Sequence, residues 1–567
     1  MSQNSKYDVT IVGAGLAGLT LALQLIKSNV DLKILVLDKR NEKAPIATHK
    51  VGESFVELGS IYLREKIGLA DYLDKHHLPK YGIRFFFDSP WKERIEKRIE
   101  LGSKTYTQVK TNQADRGILE NDLAKMVQEL GVNIQFDTTL KDVEINNKKH
   151  SLFYHSANEE VKVESRWIID ASGRNGFLKR KLNLDKQLDH TANAVWFRIN
   201  EPIDVNDWSD DEEWSTIHPP GRRKFSTTHL MGKGYWVWII PLSSGATSIG
   251  IVTDPKQHEF NKMNTFGKTS QWLESNEPYL AKVIQSSTEK LLDFKVMKDF
   301  SYDITKHFSE KGWAVTGESG TFIDPLYSQG TDFIALANTW ITHLILSDYQ
   351  GDNIKFQALV YNHKFQELIK GWTLLYKNKY HLFDKPQVLT MKVAWDWGTY
   401  WGNTALLFKN DAFVDVDFLK NYSAGAEGSL GTRFARLNEA VQELFEEWGD
   451  IDTNTYTPGV YNIFDNNFLK DFQFDLLENY SIDETLNIVS RNIDQLELMA
   501  AELFRISIRL TQKINTELAI NPYNTSIYDN REELIKKSLD TRALAINSDW
   551  KKELEKLIFI PAKSNSN

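Results

Sequence analysis

The glycine-rich turn GAGLAG, near the start of the chain, restricts the possible folds more than any other stretch. It follows the apolar, strand-like run YDVTIVG and opens the helical run LAGLTLALQLIKS. Gly13 permits the tight turn, Gly15 lets the backbone approach a pyrophosphate, and Gly18 lets helix and strand pack closely. A second strand, KILVLDK, ends near Asp38, whose carboxylate can accept hydrogen bonds from an adenosine ribose. This order predicts a βαβ unit that binds a dinucleotide at a helix N-terminus.

At 567 residues the chain is too long for one ordinary domain, so several units are expected. Apolar residues recur at spacings of three and four over 486–510, which predicts helix in the last third. The fold class we predict is α/β with a helical C-terminal domain. The predicted units are a cofactor-binding core at 1–350, in which about 81–110 and 190–300 form a sheet over the cleft, a helical domain at 351–560 and a disordered tail at 561–567.

Charge and composition exclude several classes of function. The net charge of −9 offers no basic field for nucleic acid or an anionic membrane surface. The absence of cysteine rules out disulfides and thiolate metal sites, and we expect no metal. The start MSQNSKYDVT has no apolar signal region, and no run of about 18 apolar residues appears. We therefore expect a cytoplasmic enzyme without integral membrane contact.

The stretch GYWVWIIP, residues 234–241, places two indoles two residues apart. In an extended strand, Trp236 and Trp238 lie on one face of a sheet, and Val237 lies on the other. Pro241 is expected to end the strand, because proline cannot donate to the ladder. The indoles either pack a core or form one wall of a site, and the stretch alone does not separate these interpretations.

Three distant segments indicate FAD rather than NAD. QADRGILENDL places Arg116 before a helix, IIDASGR contains Asp170, and WAVTGESGTFIDP contains Glu318. With the glycine turn, they resemble the p-hydroxybenzoate-hydroxylase-like flavoproteins, which implies a Rossmann-like FAD-binding domain with a substrate-covering sheet. The resemblance assigns Arg116, Asp170 and Glu318 to the flavin, although that family has Asp at the position of Glu318. No second glycine-rich βαβ unit follows, so a separate flavin reductase is the expected source of electrons.

Four segments narrow the resemblance from FAD-binding flavoproteins in general to one family. HKVGESF contains Glu53 and Ser54, LPKYGIRFFF contains Lys80, and WVWIIP and FIDPLYSQG follow in that order. Together they resemble the flavin-dependent halogenases over about residues 5–350. Tyr327 stands where tryptophan halogenases carry Glu, which favours the branch acting on phenols, pyrroles and aminopyrrolnitrin-type compounds.

The halogenase resemblance implies a mechanism. Hypohalous acid would be made from a flavin hydroperoxide and chloride or bromide, with O₂ as the oxidant of the reduced FAD, and Lys80 would guide it to the acceptor. The acceptor is an electron-rich phenolic or pyrrolic ring, free or attached to a carrier protein. Burial lowers the pKa of a lysine, which suits either hydrogen bonding to hypohalous acid or haloamine formation near neutral pH.

The resemblance also assigns roles around the flavin. The backbone amides of Gln329 and Gly330 would hold the halide, and Ser328 would position their loop. Glu53 and Ser54 would line the tunnel through which hypohalous acid reaches the substrate, or they would touch the flavin. Trp236 and Trp238 would wall off the flavin from the organic substrate.

Several alternatives stay open. One alternative is an FAD-dependent aromatic monooxygenase on the same fold, and another is a flavin-binding scaffold that docks a carrier protein without turnover. Lys80 and the tryptophan pair favour the halogenase. Ser54 could cap the helical run FVELGSIYLREKIG, and Asp332 could cap the helix after FIDPLYSQG. The aromatic side chains of WDWGTYWGN either pack a core or line a substrate site.

Overall fold

The structure is a computed structural model that describes most of the chain. The described residues are 5–41, 43–44, 51–104, 107–156, 159–219, 221–423, 425, 428–514 and 517–562. The strands are β1 Ser5–Val12, β2 Ile34–Leu37, β3 Leu78–Lys80, β4 Ile83–Phe86, β5 Glu100–Gly102, β6 Thr111–Gln113, β7 Asn133–Gln135, β8 Thr138–Glu144, β9 His150–Ser156, β10 Glu159–Asp170, β11 Asp185–Lys186, β12 Asn193–Ile199, β13 Thr227–Gly232, β14 Tyr235–Pro241, β15 Thr247–Thr253, β16 Leu291–Met297, β17 Asp303–Ile304, β18 Phe308–Ser309, β19 Trp313–Val315 and β20 Val460–Asn462.

The helices alternate with the strands in the first part of the chain and dominate the last third. They are α1 Leu16–Ser28, α2 Glu57–Ile61, α3 Ala70–His76, α4 Arg116–Glu129, α5 Phe177–Lys181, α6 Glu212–Thr216, α7 Phe266–Asn276, α8 Pro278–Ser286, α9 Gly330–Gln350, α10 Lys355–Leu374, α11 Pro386–Thr399, α12 Leu406–Lys409, α13 Val416–Tyr422, α14 Leu430–Ile451, α15 Asn467–Phe474, α16 Ile482–Gln512, α17 Arg531–Ser538 and α18 Ser548–Glu555.

The first sheet carries the predicted βαβ unit. Its strand order is β18-β19-β10-β1-β2-β7, and the central strands β19, β10, β1, β2 and β7 run parallel. The helix α1 links β1 to its parallel neighbour β2, as a crossover between parallel strands requires. Val9 and Ile11 of β1 are fully buried, as are most residues of α1. The carboxyl ends of these strands therefore meet at one edge, where ligands bind in open α/β sheets.

The second sheet lies over that edge. Its order is β16-β12-β15-β14-β13-β4-β5-β20, so the segments predicted to cover the cleft form one sheet. The alternation in β14 is as predicted: Trp236 and Trp238 pack in the large core shared with α1, and Val237 packs in a separate core with α7 and α8. The strand β14 ends at Pro241.

The C-terminal third is helical in its described residues, with one exception. The strand β20 pairs in parallel with β5 and extends the second sheet, so residues 460–462 belong to the cleft-covering layer. The prediction of a disordered tail at 561–567 is wrong for Pro561 and Ala562, which pair with Tyr456 and Thr455. Residues 563–567 lie outside the described part of the chain.

None of the helices in the described part of the chain combines the length and the apolarity needed to cross a membrane.

Candidate active site

A cavity of about 830 Å³ lies between the two sheets and is called the larger cavity below. It is bounded by the ends of β1 and β2, the first turn of α1, the strand β14 and the segment before α9. The residues predicted for the cofactor, the halide and the shielding wall that line it are Gly13, Gly15, Asp38, Glu53, Ser54, Arg116, Trp236, Trp238, Glu318, Ser328, Gln329 and Gly330. The fold therefore brings together segments that are more than three hundred residues apart in sequence.

The glycine turn is as tight as the spacing predicts. Gly13 has a φ of +113°, and a Cβ there would lie 2.2 Å from the carbonyl oxygen of Ala171. A Cβ on Gly18 would lie 1.9 Å from the carbonyl oxygen of Gly13, so helix and strand pack at contact distance. Gly15 has an ordinary φ of −85°, so backbone strain does not demand glycine there. Gly15 lies at the N-cap of α1 and faces the larger cavity. The requirement for glycine there is therefore explained by the close approach of a ligand, which a side chain would block.

Asp38 holds the glycine turn in place. Its carboxylate accepts hydrogen bonds from the backbone N–H groups of Ala14, at 2.5 Å, and Arg40, at 2.8 Å. It lines the larger cavity at the carboxyl end of β2, which is the position predicted for a ribose contact.

Arg116 belongs to a buried polar network at the start of α1. It donates to the carbonyls of residues 51–52, at 3.1 and 3.2 Å, and to the Glu120 carboxylate at 2.7 Å. Glu120 is fully buried and also accepts from Arg40 and from the Leu16 backbone N–H. Glu120 and Arg40 were not among the predicted residues, although the spacing of four residues from Arg116 to Glu120 on a helix was a usable signal.

Two predicted cofactor residues lie behind the wall of the larger cavity. Gly18 packs against β1, as described above. Asp170 is fully buried and accepts hydrogen bonds from the Ser172 hydroxyl, at 2.6 Å, and the Leu178 backbone N–H, at 2.7 Å. Burial raises the pKa of Asp170, and these hydrogen bonds oppose the shift. The carboxylate thus shapes the turn 171–177, which does line the larger cavity; direct flavin contact by Asp170 stays a prediction. Glu318 lines the cavity from the short turn Gly317–Ser319.

Glu53 is held in a buried ion-pair network. The Arg198 guanidinium donates to Glu53 at 2.7 Å and to Asp293 at 2.7 Å. Burial raises the pKa of the Glu53 carboxyl, and Arg198 opposes the shift. Glu53 therefore faces the larger cavity as one fixed member of a network, and its predicted contact with the flavin or with the path of the hypohalous acid stays a prediction.

A chain of hydroxyl groups joins the segment before α9 to the second sheet. The Ser328 hydroxyl donates to that of Ser54 at 3.2 Å, and Ser54 shares a hydrogen bond of 2.9 Å with Thr227. The interpretation of Ser54 as a helix cap is wrong, because Val56 occupies the N-cap of α2. Ser328 has a left-handed φ of +61°, which costs free energy for a residue with a Cβ and fixes the turn.

The N-terminus of α9 faces the larger cavity. This helix has 21 residues, and Gln329 occupies its N-cap. Among the described residues, no side chain caps this end, so its first N–H groups and the positive end of the helix dipole are directed at the cavity. A Cβ on Gly330 would meet no atom within 4 Å. The arrangement can hold a small anion, and the amides are those of the predicted halide residues.

Trp236 and Trp238 form one wall of the larger cavity. Their ring centroids lie 5.7 Å apart, and both side chains are buried. The Trp238 indole donates to the Ser248 hydroxyl at 3.2 Å and lies against Gly250, where a Cβ would be 2.1 Å from the ring. The two rings are therefore fixed in place, as a steric wall requires.

Lys80 lines a second, smaller cavity of about 50 Å³. The side chain is 2% exposed, and its amine donates to the carbonyl oxygen of Phe55 at 2.9 Å. Burial lowers the pKa of Lys80 to about 8, although Glu57 and Asp332 act in the opposite direction. The amine thus points away from bulk water and can lose its proton near neutral pH.

The two cavities share a thin partition. In the segment 53–57, Glu53 and Ser54 line the larger cavity and Glu57 lines the smaller one. The segment before α9 also lies between the two cavities, and its residue Gln329 lines both of them. The Lys80 amine binds Phe55 within the first of these segments, so it lies beside the partition.

Asp332 is a functional candidate for which the sequence favoured only a helix cap. It lies in the first turn of α9, but its carboxylate accepts from the Gly59 backbone N–H and the Tyr400 hydroxyl, both at 2.8 Å. The interpretation as a helix cap is therefore wrong. Burial raises the pKa of Asp332 to about 8, and these hydrogen bonds oppose the shift.

The smaller cavity also has aromatic walls. Trp397, Tyr400 and Trp401 line it, as one of the alternatives for WDWGTYWGN requires. Trp395 instead packs in the core and donates to Asn438 at 3.0 Å. Tyr327, the residue that departs from tryptophan halogenases, donates to Asp396 at 2.8 Å.

The raised pKa of Asp332 predicts a pH dependence of stability. Between pH 3.8 and about 8 the folded protein keeps the proton on Asp332, whereas the unfolded chain has lost it. The stabilisation that this difference provides is therefore fully present below pH 3.8 and is lost as the pH rises to about 8. We expect Asp332→Asn to gain stability relative to the parent between pH 5.5 and 8, as measured by urea unfolding. A difference that stays constant over this range would contradict the assignment.

Comparison with known proteins places these features in a family. A family model described as an FAD binding domain matches residues 6–291. The flavin-dependent halogenase chlA of Dictyostelium discoideum is 27% identical over 373 residues, and the alignment covers 60% of each chain. A 1H-pyrrole-2-carbonyl (peptidyl-carrier protein) brominase of Pseudoalteromonas luteoviolacea is 28% identical over 336 residues, which covers 59% of this chain and 75% of the brominase. The chain thus spans 60% of the length of the Dictyostelium relative.

Solved structures agree on the fold. The crystal structure of halogenase PltM in complex with phloroglucinol and FAD matches with a TM-score of 0.63 and 16% identity, over 87% of this chain and 96% of that one. The flavin-dependent brominase Bmp2 matches with a TM-score of 0.52 and 23% identity, over 68% and 92%. The predicted α/β fold with a helical C-terminal region is confirmed, and so is the predicted resemblance to flavin-dependent halogenases, which include a halogenase named for a carrier-bound pyrrole.

Proposed function

Because the chain belongs to the family defined by this FAD binding domain, we propose that it is a flavin-dependent halogenase acting on an electron-rich phenolic or pyrrolic ring. The observation that carries the proposal is the pair of adjoining cavities, one lined by the glycine turn and the other by Lys80. The aromatic monooxygenase alternative needs the substrate to meet the flavin itself. The buried position of Lys80 beside a separate cavity favours the halogenase instead.

The residues of the larger cavity fit FAD. The glycine turn presents backbone N–H groups and the N-terminus of α1 to a pyrophosphate, and Gly15 leaves room for it. Asp38 would contact the adenosine ribose, Arg116 would contact the flavin, and Glu318, on the wall of the same cavity, would contact the ribityl chain. When bound in reduced form, FAD supplies the O₂-dependent oxidising power that converts chloride or bromide to hypohalous acid. Its electrons would come from a separate flavin reductase.

The chain's own residues would then control the halide and the electrophile. The amides of Gln329 and Gly330, at the N-terminus of α9, would hold the halide without a formal charge. Trp236 and Trp238 would keep an organic ring out of the larger cavity. Lys80 would take hypohalous acid across the partition and direct it to the ring, and Ser54 and Ser328 would fix the partition through their hydroxyl chain.

Gly330 tests the halide site. An alanine methyl group at this position meets no protein atom within 4 Å, so the fold should accept Gly330→Ala, but the methyl group takes space that the halide needs. We expect the KM for halide to rise about tenfold, equivalent to about 1.4 kcal/mol of binding, with little change in kcat at saturating halide. Steady-state kinetics against chloride and bromide measure this, with the thermal midpoint as the control for folding. An unchanged KM for halide would contradict the assignment of halide binding to the amides of Gln329 and Gly330.

Product analysis tests the proposed function as a whole. The protein is incubated with FAD, a flavin reductase and its reductant, chloride or bromide, and phenols and pyrroles, both free and linked to a carrier protein. Mass spectrometry should show replacement of ring hydrogen by halogen. Oxygen insertion without halogen would indicate the monooxygenase, and unchanged substrates with bound FAD would indicate the scaffold; either result rejects the proposal. The carrier-linked substrates are included because the similar brominase of Pseudoalteromonas luteoviolacea is named for a pyrrole attached to a peptidyl-carrier protein.

A further inference from the structure

We propose that the smaller cavity selects an aromatic ring that carries a protonated amino group, and that it disfavours aromatic carboxylates. The inference rests on the proposed function, because it names the substrate class of the same site. Four observations lead to it: the charge of the lining residues, the aromatic walls, an unpartnered buried acceptor and the size of the cavity.

The carboxyl groups that line the cavity outnumber the cations that line it. Glu57 and Asp332 face the cavity, and Lys80 is the cation that acts on both. The Lys80 amine donates to the carbonyl oxygen of Phe55 rather than to either carboxyl group. Glu57 accepts instead from the Gln473 amide at 2.9 Å. Two buried carboxyl groups face one ammonium, so the protein without ligand holds one proton here, which burial places on Asp332 below about pH 8.

A third carboxylate does not add to this excess. Asp396 also lines the cavity, but it forms a buried ion pair with Lys392 and accepts from Gln442 at 2.7 Å and Tyr327 at 2.8 Å. Its charge is therefore already compensated. The carboxyl groups without a cation partner, which share the extra proton, are therefore Glu57 and Asp332.

The remaining walls match the chemistry of an arylammonium ligand. The rings of Trp397 and Trp401 have centroids 5.3 Å apart, and Phe464 stacks on Trp401 at 5.7 Å. Aromatic faces attract both a substrate ring and an ammonium group. Gln329 adds an acceptor, because its Oε1 atom is buried and has no hydrogen-bond partner among the described residues. An unpaired buried acceptor favours a ligand that donates.

The cavity volume of about 50 Å³ is smaller than the roughly 150 Å³ of a cavity that binds benzene, so we infer at most a single substituted ring, and the walls must move apart to admit it. Burial raises the pKa of both carboxyls, which disfavours a further negative charge such as a ring carboxylate. A ring carboxylate also cannot replace the proton on Asp332. A cationic ligand would take the place of that proton.

The test is binding without turnover. Isothermal titration calorimetry of the FAD-loaded protein compares 4-hydroxybenzylamine, a cation, with the neutral 4-methylphenol and the anion 4-hydroxybenzoate at pH 7. We expect the amine to bind at least about tenfold more tightly than 4-methylphenol, and 4-hydroxybenzoate to bind most weakly. Titrations in buffers of different ionisation enthalpy should show proton release with the amine and none with 4-methylphenol.

Variants separate the charge effect from a structural effect. Asp332→Asn should remove the advantage of the amine and its proton release while leaving the affinity for 4-methylphenol unchanged. Glu447→Gln is the matched control, because Glu447 is a partly buried carboxylate with a raised pKa that lies on α14 and lines neither cavity. This control should retain the preference for the amine.

The inference fails if the benzoate or the phenol binds as tightly as the amine, or if none of the three ligands binds. It also fails if Asp332→Asn keeps the preference. These results are independent of halogenation, so a halogenase without a preference for amines and an amine-binding protein without halogenation give different outcomes.

Discussion

Lys80→Met is expected to reduce the formation of halogenated product about a hundredfold or more, in the range seen when a positioned proton-transferring group is removed. Methionine keeps most of the length of the side chain but has no amine to bind or carry the electrophile. The residues that would bind FAD line the larger cavity and do not include Lys80. FAD binding and O₂ consumption by the reduced enzyme should therefore continue, and the oxidising equivalents should escape as free hypohalous acid or peroxide.

Lys379→Met is the matched control for this experiment. Lys379 is 1% exposed, and burial lowers its pKa to about 8, as for Lys80. It forms an ion pair with Glu446 and lines neither cavity. Removal of this amine should lower the free energy of unfolding without changing product formation per folded molecule. Product yield, bound flavin and O₂ uptake are measured for both variants, and normal halogenation by Lys80→Met would end the assigned role.

Gly15→Val is expected to abolish FAD binding, with an affinity loss of at least about a hundredfold, or about 2.7 kcal/mol. The backbone at Gly15 has an ordinary φ and ψ, so valine can adopt the conformation. The loss arises because the side chain would project from the N-cap of α1 toward the pyrophosphate position in the larger cavity. The purified variant should be colourless, and flavin fluorescence titration should give the affinity.

Gly267→Val controls for the cost of valine in a helix. Gly267 lies in α7, where a Cβ meets nothing within 4 Å, and it does not line the larger cavity. This variant should be yellow and have nearly the parent affinity for FAD. A Gly15→Val protein that is purified yellow would contradict the assignment of the pyrophosphate site.

The sequence by itself determined the features that depend on local rules. The glycine spacing in GAGLAG specified a turn in which Cβ atoms at Gly13 and Gly18 have no room, and the structure shows both contacts. The period of two in WVWIIP placed both indoles on one face of β14. The spacing of three and four in 486–510 specified α16. Each of these depends on the geometry of a few consecutive residues.

Only the tertiary structure decided the partners of the buried polar groups. Glu53 pairs with Arg198, 145 residues away, and Asp332 accepts from the backbone of Gly59, 273 residues away. Such contacts are set by how helices and sheets pack, which no local pattern encodes. For the same reason Ser54 and Asp332 were open to interpretation as helix caps, since a short polar side chain near a helix start has two uses and packing selects between them. The charge balance around Lys80 is likewise a property of three separate segments brought together.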